Sequence, residues 1–558
     1  MAVDAARSAR PWWPAVAGTV AIVALLAAVA WPLRGAFLHE DDFALLALAR
    51  LLDDPLPAFV REHMLTMPYY RPLGLVAWWL SARAFGAALL PQYVLALGLH
   101  ALVCMALAGL LRELGTRRFT AWALAAVFAV HPVAIGTTSW LSDRYDLLAT
   151  LFGLLALRAM LRHAHAPTMW RLSAALMALA AALFSKETGV VLALLVGGLA
   201  WCECADRRQR RIAVAAVASL LLVYFLARLF ALGFAGGGRY TGSASFGRVV
   251  QGFVNWWAEL PWHLFYAPWL PRAGWLLWLL AAVCGGWQLF SGRHARVQYQ
   301  WRTPLLLGLA MVLLAALVQA PFIGIQPIRA PDPADVPASV TQARFYYLGL
   351  VGLVLVASAL LRSSPVRMSD WRMPVAGTAF VVVLLASALA SRALVRDWRD
   401  NTRAFAPLAD AAVQAIEQAA LPATGCQIYL LEAGNAVLDA AADSVVKSRV
   451  ADTSRVASCL VQTERTPWFQ IVSADDAVGV DIAPLEPVRE GGVQVPWPRI
   501  GNIFIAYTNL SARAQPHEAR QALFLAFDGM AFRDVSRDVR DGRREVAFRC
   551  ARSPLQCR

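Results

Sequence analysis

Five short segments hold the residues best suited to chemistry. In "FLHEDDFALL" (37–46), three consecutive carboxylates, Glu40, Asp41 and Asp42, follow an almost uncharged run. That run is about twenty residues, enough to cross a bilayer. "YYRPLGLVAWWL" (69–80) carries Arg71, "SDRYD" (142–146) carries Asp143, Arg144 and Asp146, "FSKETG" (184–189) carries Lys186 and Glu187, and "QARFYYLGLVG" (342–352) carries Arg344. A carboxylate can take a proton from an attacking hydroxyl. Fixed arginine or lysine groups can stabilise negative charge on a leaving phosphate, best away from bulk water. Three adjacent carboxylates repel one another, so a proton is more easily kept on one of them near neutral pH. Asp41 is slightly favoured as the base, with Asp42 holding a hydroxyl or a cation.

Lys186 stands out because Lys186 and Lys447 are the only lysines among 51 basic residues. A compact ammonium suits a phosphate oxygen, or an ion pair with Glu187. The bland reading of each charge is a helix end in the headgroup zone. A common sidedness for all of them is harder to explain that way. His100 and His131 have no ligand-spaced partners and read as packing residues. Cys202 and Cys204 lack a second ligand pair, which argues against a metal site there.

The elements that must position these groups are apolar. The 558-residue chain is 59% hydrophobic and 16% charged, less charge than a soluble globular protein carries. Candidate spans lie near 12–33, 89–111, 119–137, 146–162, 168–185, 189–204, 212–233, 273–291, 303–321, 345–361 and 373–392, about eleven in all. The first span reads as uncleaved, because no small-residue cleavage site follows it. Arginine clusters fall in alternate loops, from Arg7 and Arg10 through Arg207–Arg211 to Arg362–Arg372. By the positive-inside rule those loops are cytoplasmic. The net charge of +14 is thus a topology signal and needs no nucleic acid.

This topology puts the N-terminus inside. Segments 37–88, 234–272 and 322–344, with everything after about 393, fall on the opposite side. Residues 71–86 read as a helix lying at that interface, and the aromatic-rich stretch 239–271 as a loop with a membrane belt. Residues 1–392 form the transmembrane domain. Residues 393–558 form a soluble α/β or α+β domain, with strands expected at 426–432, 502–510, 523–527 and 545–550 and helices at 404–420 and 434–450. Four of the eight cysteines lie there, with Cys550–Cys557 the local candidate for a disulfide.

The motifs named above, with "LGLHAL" (97–102) and "HPVAIGTTSWLSDRYDLLATLFGLLAL" (131–157), occur in an order that resembles the membrane half of the transmembrane-and-tetratricopeptide O-mannosyltransferases and their bacterial relatives. These belong to the GT-C class of polytopic glycosyltransferases. The resemblance is good over about 37–200, thin over 201–340, and returns near 344. It implies a GT-C-like fold and a polyprenyl-phosphate-linked sugar as donor. It implies Asp41 or Asp42 as general base, and Lys186, Arg144 and Arg344 as ligands of the donor phosphate. Arg71, Asp146 and Glu187 would orient the site.

Two departures matter. The family's His-Pro-x-His-x-Glu reads here as His131-Pro132-Val133-Ala134-Ile135-Gly136, without the glutamate. No tetratricopeptide repeats follow.

The expectation is an enzyme of the bacterial inner membrane that transfers a sugar, with inversion, to a periplasmic glycan, lipid or protein. The partners are then donor, acceptor and lipid bilayer, with no nucleic acid. The cofactor is unknown, with a divalent cation left open. Two rivals stand beside this reading. A transporter or flippase of lipid-linked saccharide would show internal repeat symmetry, and none is visible. A non-catalytic envelope assembly protein would gain support from the glutamate missing at Gly136.

Overall fold

The computed structural model describes residues 13–60, 69–232, 245–265, 298–332, 334–363, 372–421, 426–457, 459–464, 470–473, 489–490, 493–494, 499–500, 503–506 and 522–546. The chain divides into two compact units. One comprises Met1–Arg34, Tyr93–Val223 and Ala244–Arg399; the other comprises Gly35–Gln92, Tyr224–Ser243 and Asp400–Arg558.

The described helices, in chain order, are α1 (Trp13–Ala30), α2 (Asp41–Leu51), α3 (Pro72–Phe85), α4 (Leu89–Glu113), α5 (Arg118–Ala129), α6 (Pro132–Ser139), α7 (Arg144–His165), α8 (Met169–Ser185), α9 (Gly189–Glu203), α10 (Arg207–Leu232), α11 (Phe246–Phe265), α12 (Gln298–Ile323), α13 (Val336–Ser363), α14 (Arg372–Arg403), α15 (Ala406–Gln418), α16 (Ala436–Arg449) and α17 (Ser536–Arg540). Among the described residues, seven helices are long and apolar enough to cross a membrane, and α5 with α6 makes an eighth if the bent pair is one span. Two shorter apolar helices, α8 and α9, accompany them. The chain is built as a multi-pass membrane protein. The expected span at 273–291 lies outside the described residues, so a count of eleven is not established.

Three local readings need correction. The span expected at 119–137 is two helices bent by 53°. Pro132 is the cause: it starts α6, has no N–H to give, and holds the preceding residue extended. His131, at φ −70° and ψ 137°, caps α6 by accepting from Val133 N. Residues 246–265, expected as loop, are helical with Pro261 inside the helix. Finally, α13 begins well before 345. Asp335 Oδ1 accepts from Ala338 N at 3.1 Å, an N-cap that starts the helix at Val336. Arg344 is therefore about two turns inside α13, not at its head.

Within the first unit, helices approach closely at small residues. A Cβ on Gly308 of α12 would lie 2.6 Å from the Gly352 carbonyl oxygen of α13, and one on Gly352 would lie 2.8 Å from that of Gly308. This is the small-residue packing expected where lipid offers no hydrophobic drive between helices. Gly136 of α6 likewise faces α13, and its Cβ would lie 2.9 Å from Ala343 Cβ. A glutamate at 136 would need Ala343 to move, so position 136 is a packing position. His100 is buried between Tyr347 Oη (2.8 Å) and the Ala129 carbonyl (3.0 Å). His131 Nε2 bonds the Leu264 carbonyl at 2.8 Å. Both histidines join helices, as their lone spacing suggested.

In the second unit the strands are β1 (Cys426–Leu431), β2 (Cys459–Thr463), β3 (Gln470–Ser473), β4 (Arg489–Glu490), β5 (Val493–Gln494), β6 (Arg499–Ile500), β7 (Ile503–Ala506), β8 (Ala522–Phe527) and β9 (Phe532–Asp534). The main sheet has the order β2-β1-β8-β9. β1 runs parallel to β2 and β8, and β9 is antiparallel to β8. Parallel β1 and β2 require a crossover, which α16 supplies, so the expected choice between α/β and α+β falls to α/β here. Cys459 is disulfide-bonded, whereas Cys550 and Cys557 lie outside the described residues, as do 547–550 of the last expected strand.

α16 is fixed by a fully buried ion pair, Lys447 Nζ to Asp443 Oδ1 at 2.8 Å. Lys447 also donates to the Cys459 carbonyl (2.7 Å), and Asp443 Oδ1 accepts from Val461 N (3.2 Å). Burial pushes the Lys447 ammonium down from its usual pKa, and Asp443 opposes that shift.

Two predictions arise from this packing. Gly136→Ala should cost about 1–3 kcal/mol by overpacking, read as a lower unfolding temperature in detergent. Adding Ala343→Gly should restore most of the loss, and no rescue would mean the two helices do not meet there. Lys447→Met should cost about 3–5 kcal/mol by stranding a buried carboxylate. The pair Lys447→Met with Asp443→Leu should recover much of that, as measured by the protease resistance of the full chain.

Candidate functional site

The first group of charges gathers where α7 begins. A short 3-10 turn, Leu141–Asp143, leads into α7, so Asp143 stands at its N-cap with Arg144 and Asp146 in its first turn, and all three are buried. α8 and α9 meet at Lys186-Glu187-Thr188, where Lys186 follows the last residue of α8. The Lys186 ammonium is ion-paired to Asp146 Oδ2, with both side chains almost fully buried. A carboxylate that answers this lysine is therefore Asp146, a partner that the sequence reading did not offer.

Arg344 reaches the same region from α13. Its guanidinium lies 4.4 Å from the centre of the Trp140 ring and 5.0 Å from that of Phe345. One of its nitrogens is 3.4 Å from Asp143 Oδ1. The ring face and the carboxylate both favour the cation. Gly136 meets Ala343, the residue before Arg344, and this close approach holds α13 where Arg344 can reach Trp140 and Asp143. The second oxygen of Asp143 is buried and has no hydrogen-bond partner among the described residues. Such an atom is costly and calls for an explanation. Asp143 and Trp140 were visible in the sequence beside Arg144, but nothing there marked them as partners of a residue two hundred positions later.

The second group belongs to the other compact unit. α2 starts at Asp41, and Glu40 before it has φ 43° and ψ −114°, a conformation that residues with a side chain rarely adopt. Both aspartates follow this residue, in the first turn of α2, and they differ in burial. Asp42 is completely buried, and its Oδ2 accepts from His39 N at 3.2 Å. Asp41 is exposed at the helix start. A helix N-terminus favours both negative charges. Arg71 precedes α3, half-buried, with its guanidinium 4.0 Å from the Tyr69 ring centre. The adjoining Tyr70 hydroxyl donates to the Phe59 carbonyl at 2.7 Å, and burial, with a smaller contribution from Tyr224, raises its pKa to about 12.

The structure thus brings Asp146 to Lys186, and Arg344 to Asp143, within one unit. Asp41, Asp42 and Arg71 belong to the other. Among the described residues, no three His, Cys, Asp or Glu side chains are grouped so as to hold a metal ion.

No family model matches the chain. No curated protein sequence matches it either. Among solved structures, the chain is similar to the oligosaccharyltransferase AglB from Archaeoglobus fulgidus in complex with an inhibitory peptide and a dolichol-phosphate, at 12% identity and a TM-score of 0.40, covering 81% of this chain and 64% of that one. It is similar to ArnT from Cupriavidus metallidurans in the apo state, at 13% identity and a TM-score of 0.44, covering 87% of this chain and 97% of that one. The same enzyme bound to undecaprenyl phosphate aligns at 13% identity with a TM-score of 0.39, over the same shares of the two chains.

Proposed function

We propose that this chain is a membrane glycosyltransferase that takes a sugar from a polyprenyl-phosphate donor and passes it to an extracytoplasmic hydroxyl-bearing acceptor. The observation that carries the reading is the buried charge group at the start of α7. Arg144, Lys186 and Arg344 are set among apolar helices with Asp143 and Asp146, and one Asp143 oxygen has no partner among the described residues. A purely structural network gains by satisfying all its buried atoms. An oxygen left over suits a ligand hydroxyl, and three cations at a helix N-terminus suit a phosphate.

In this reading a carboxylate of the acidic turn takes the proton of the acceptor hydroxyl. The acceptor oxygen attacks the anomeric carbon, the bond from that carbon to the phosphate oxygen breaks, and the configuration inverts. The polyprenyl phosphate leaves with an added negative charge, which Arg144, Lys186 and Arg344 stabilise. Asp146 holds the Lys186 ammonium in place, and Arg71 and Glu187 orient the reactants. Of the two aspartates, Asp41 is the better base, because it is exposed while Asp42 is buried against a backbone N–H. The acceptor class, glycan, lipid or protein, and the periplasmic orientation of the acidic turn belong to the same proposal.

Two measurements test it, both using a short-chain polyprenyl phosphate bearing a radiolabelled hexose, with cell envelopes as acceptor. Asp41→Asn should lose activity by orders of magnitude at an unchanged unfolding temperature, since an amide cannot take the proton. Asp42→Asn should instead lower stability and retain measurable turnover. If both amides turn over like the parent, the acidic turn is a helix-end feature and the enzyme reading fails. Arg344→Ala should weaken use of the donor by about tenfold or more, the worth of one charge-assisted contact of about 1.5–3 kcal/mol. Donor kinetics equal to the parent's in Arg344→Ala and in the pair Lys186→Met with Asp146→Leu would remove both cations from phosphate binding.

A further inference from the structure

We propose that Arg50 is a positioning residue, which clamps the acidic turn to the C-terminal turn of α16 and so sets where Asp41 stands. This rests on the proposed function for its catalytic consequence, but its structural half stands alone. α2 carries the acidic pair at its first turn and Arg50 in its last. The Arg50 guanidinium donates to three carbonyl oxygens at the end of α16: Lys447 (3.2 Å), Val450 (2.7 Å) and Ala451 (3.2 Å). These are carbonyls that a helix end leaves without internal partners, and the negative end of the helix dipole adds to the attraction. One flat fork thus caps a helix that is nearly four hundred residues away in sequence.

The same turn of α16 also grips the chain ahead of the acidic residues. The guanidinium of Arg449, the last residue of α16, lies 5.1 Å from the centre of the Phe37 ring. Phe37 N donates to Thr402 Oγ1 at 3.1 Å. Its ring makes edge contacts with Phe43 and Phe405, at 5.9 and 6.3 Å between centres, and Phe43 meets Phe405 at 5.8 Å. Between the two grips the apolar face of α2 (Ala44, Ala47, Leu48, Leu51) packs with Leu52, Ala58, Leu75 and Ala457. The segment from Phe37 to Arg50 is therefore held at both ends by residues of the region after 400. The positive φ of Glu40 lies inside this clamped stretch. A strained backbone persists only where its surroundings over-determine it, and the two grips supply that.

A rigid base matters because proton transfer requires the carboxylate within hydrogen-bond reach of the acceptor hydroxyl. Loosening one end of α2 would leave donor binding intact and reduce the share of molecules with Asp41 in register. Arg50→Gln and Arg50→Lys in the full chain separate this from simple loss of folding. In Arg50→Gln, hydrogen exchange of peptides covering 38–46 should quicken, and kcat should fall at least tenfold. KM for the radiolabelled polyprenyl-phosphate hexose should stay at the parent value, and the unfolding temperature should fall by only a few degrees, the worth of one helix cap. Arg50→Lys keeps the charge without the fork, and should recover part of the loss in kcat and of the exchange protection. The clamp is overturned if exchange at 38–46 is unchanged in Arg50→Gln. It is overturned as a positioning device if kcat stays within twofold of the parent, or if kcat, KM and unfolding temperature worsen together and Arg50→Lys behaves no better. Activity retained by both Asp41→Asn and Asp42→Asn would instead defeat the catalytic reading, and the exchange measurement alone would then decide the clamp.

Discussion

A charge buried among apolar helices must be answered from within the protein, and this requirement organises both units. Lys186 answers Asp146, Arg344 answers Asp143, and Lys447 answers Asp443. Removing one member of such a pair costs about 3–5 kcal/mol, a large part of a protein's net stability. Each pair is therefore a strong constraint on which helices lie together. Lys186 and Asp146 bind the turn between α8 and α9 to the start of α7. Arg344 binds α13 to the turn just before it. Lys447 and Asp443 fix α16 against the edge of β2.

These pairs can form only because the backbone brings their helices close enough. Pro132 ends the preceding helix and restarts it at an angle of 53°, which makes α6 a separate element. Gly136 then lets α6 lie directly against Ala343 of α13. The next residue on α13 is Arg344, and the next turn after α6 holds Trp140 and Asp143. A missing side chain at 136 and a proline four residues earlier thus deliver a guanidinium to a ring face and a carboxylate. The cation over the ring adds about 0.5–2 kcal/mol, and neither this contact nor the ion pair can form unless the helices first approach at Gly136.

What could be read in advance follows the same division. Hydropathy is a local property, so the long apolar helices were legible, and so were β1, β8, α15 and α16 in the region after 400. The break at Pro132 was written in the sequence too, but an apolar run of the right length overrode it. The start of α13 was marked by Asp335 before Val336-Pro337, a cap signal that hydropathy does not register. Pairing over long separations was not legible. The rarity of lysine suggested a phosphate for Lys186, yet Lys447 is equally rare and serves a buried ion pair inside a soluble-type fold. Both lysines are buried and ion-paired, so rarity alone does not separate a structural ammonium from a phosphate ligand. Gly136, where the sequence lacks the glutamate that the resemblance led one to expect, carries a helix contact.

The acidic turn shows how one residue of spacing can give two aspartates different surroundings. Successive residues on a helix point about 100° apart, so two aspartates in the first turn cannot share one environment. Asp42 faces inward, is wholly buried, and spends an oxygen on His39 N. Asp41 faces out of the same turn. The inward aspartate helps define the turn, and the turn, with the unusual backbone of Glu40, decides where the outward aspartate stands. Replacing either by alanine would remove the same chemical group from the same motif, yet the first loss would be felt by the fold and the second by whatever the exposed carboxylate meets. On the function proposed above, the pair is a base with its own support rather than two equivalent acids, and the grips at Phe37 and Arg50 extend that support into the C-terminal region.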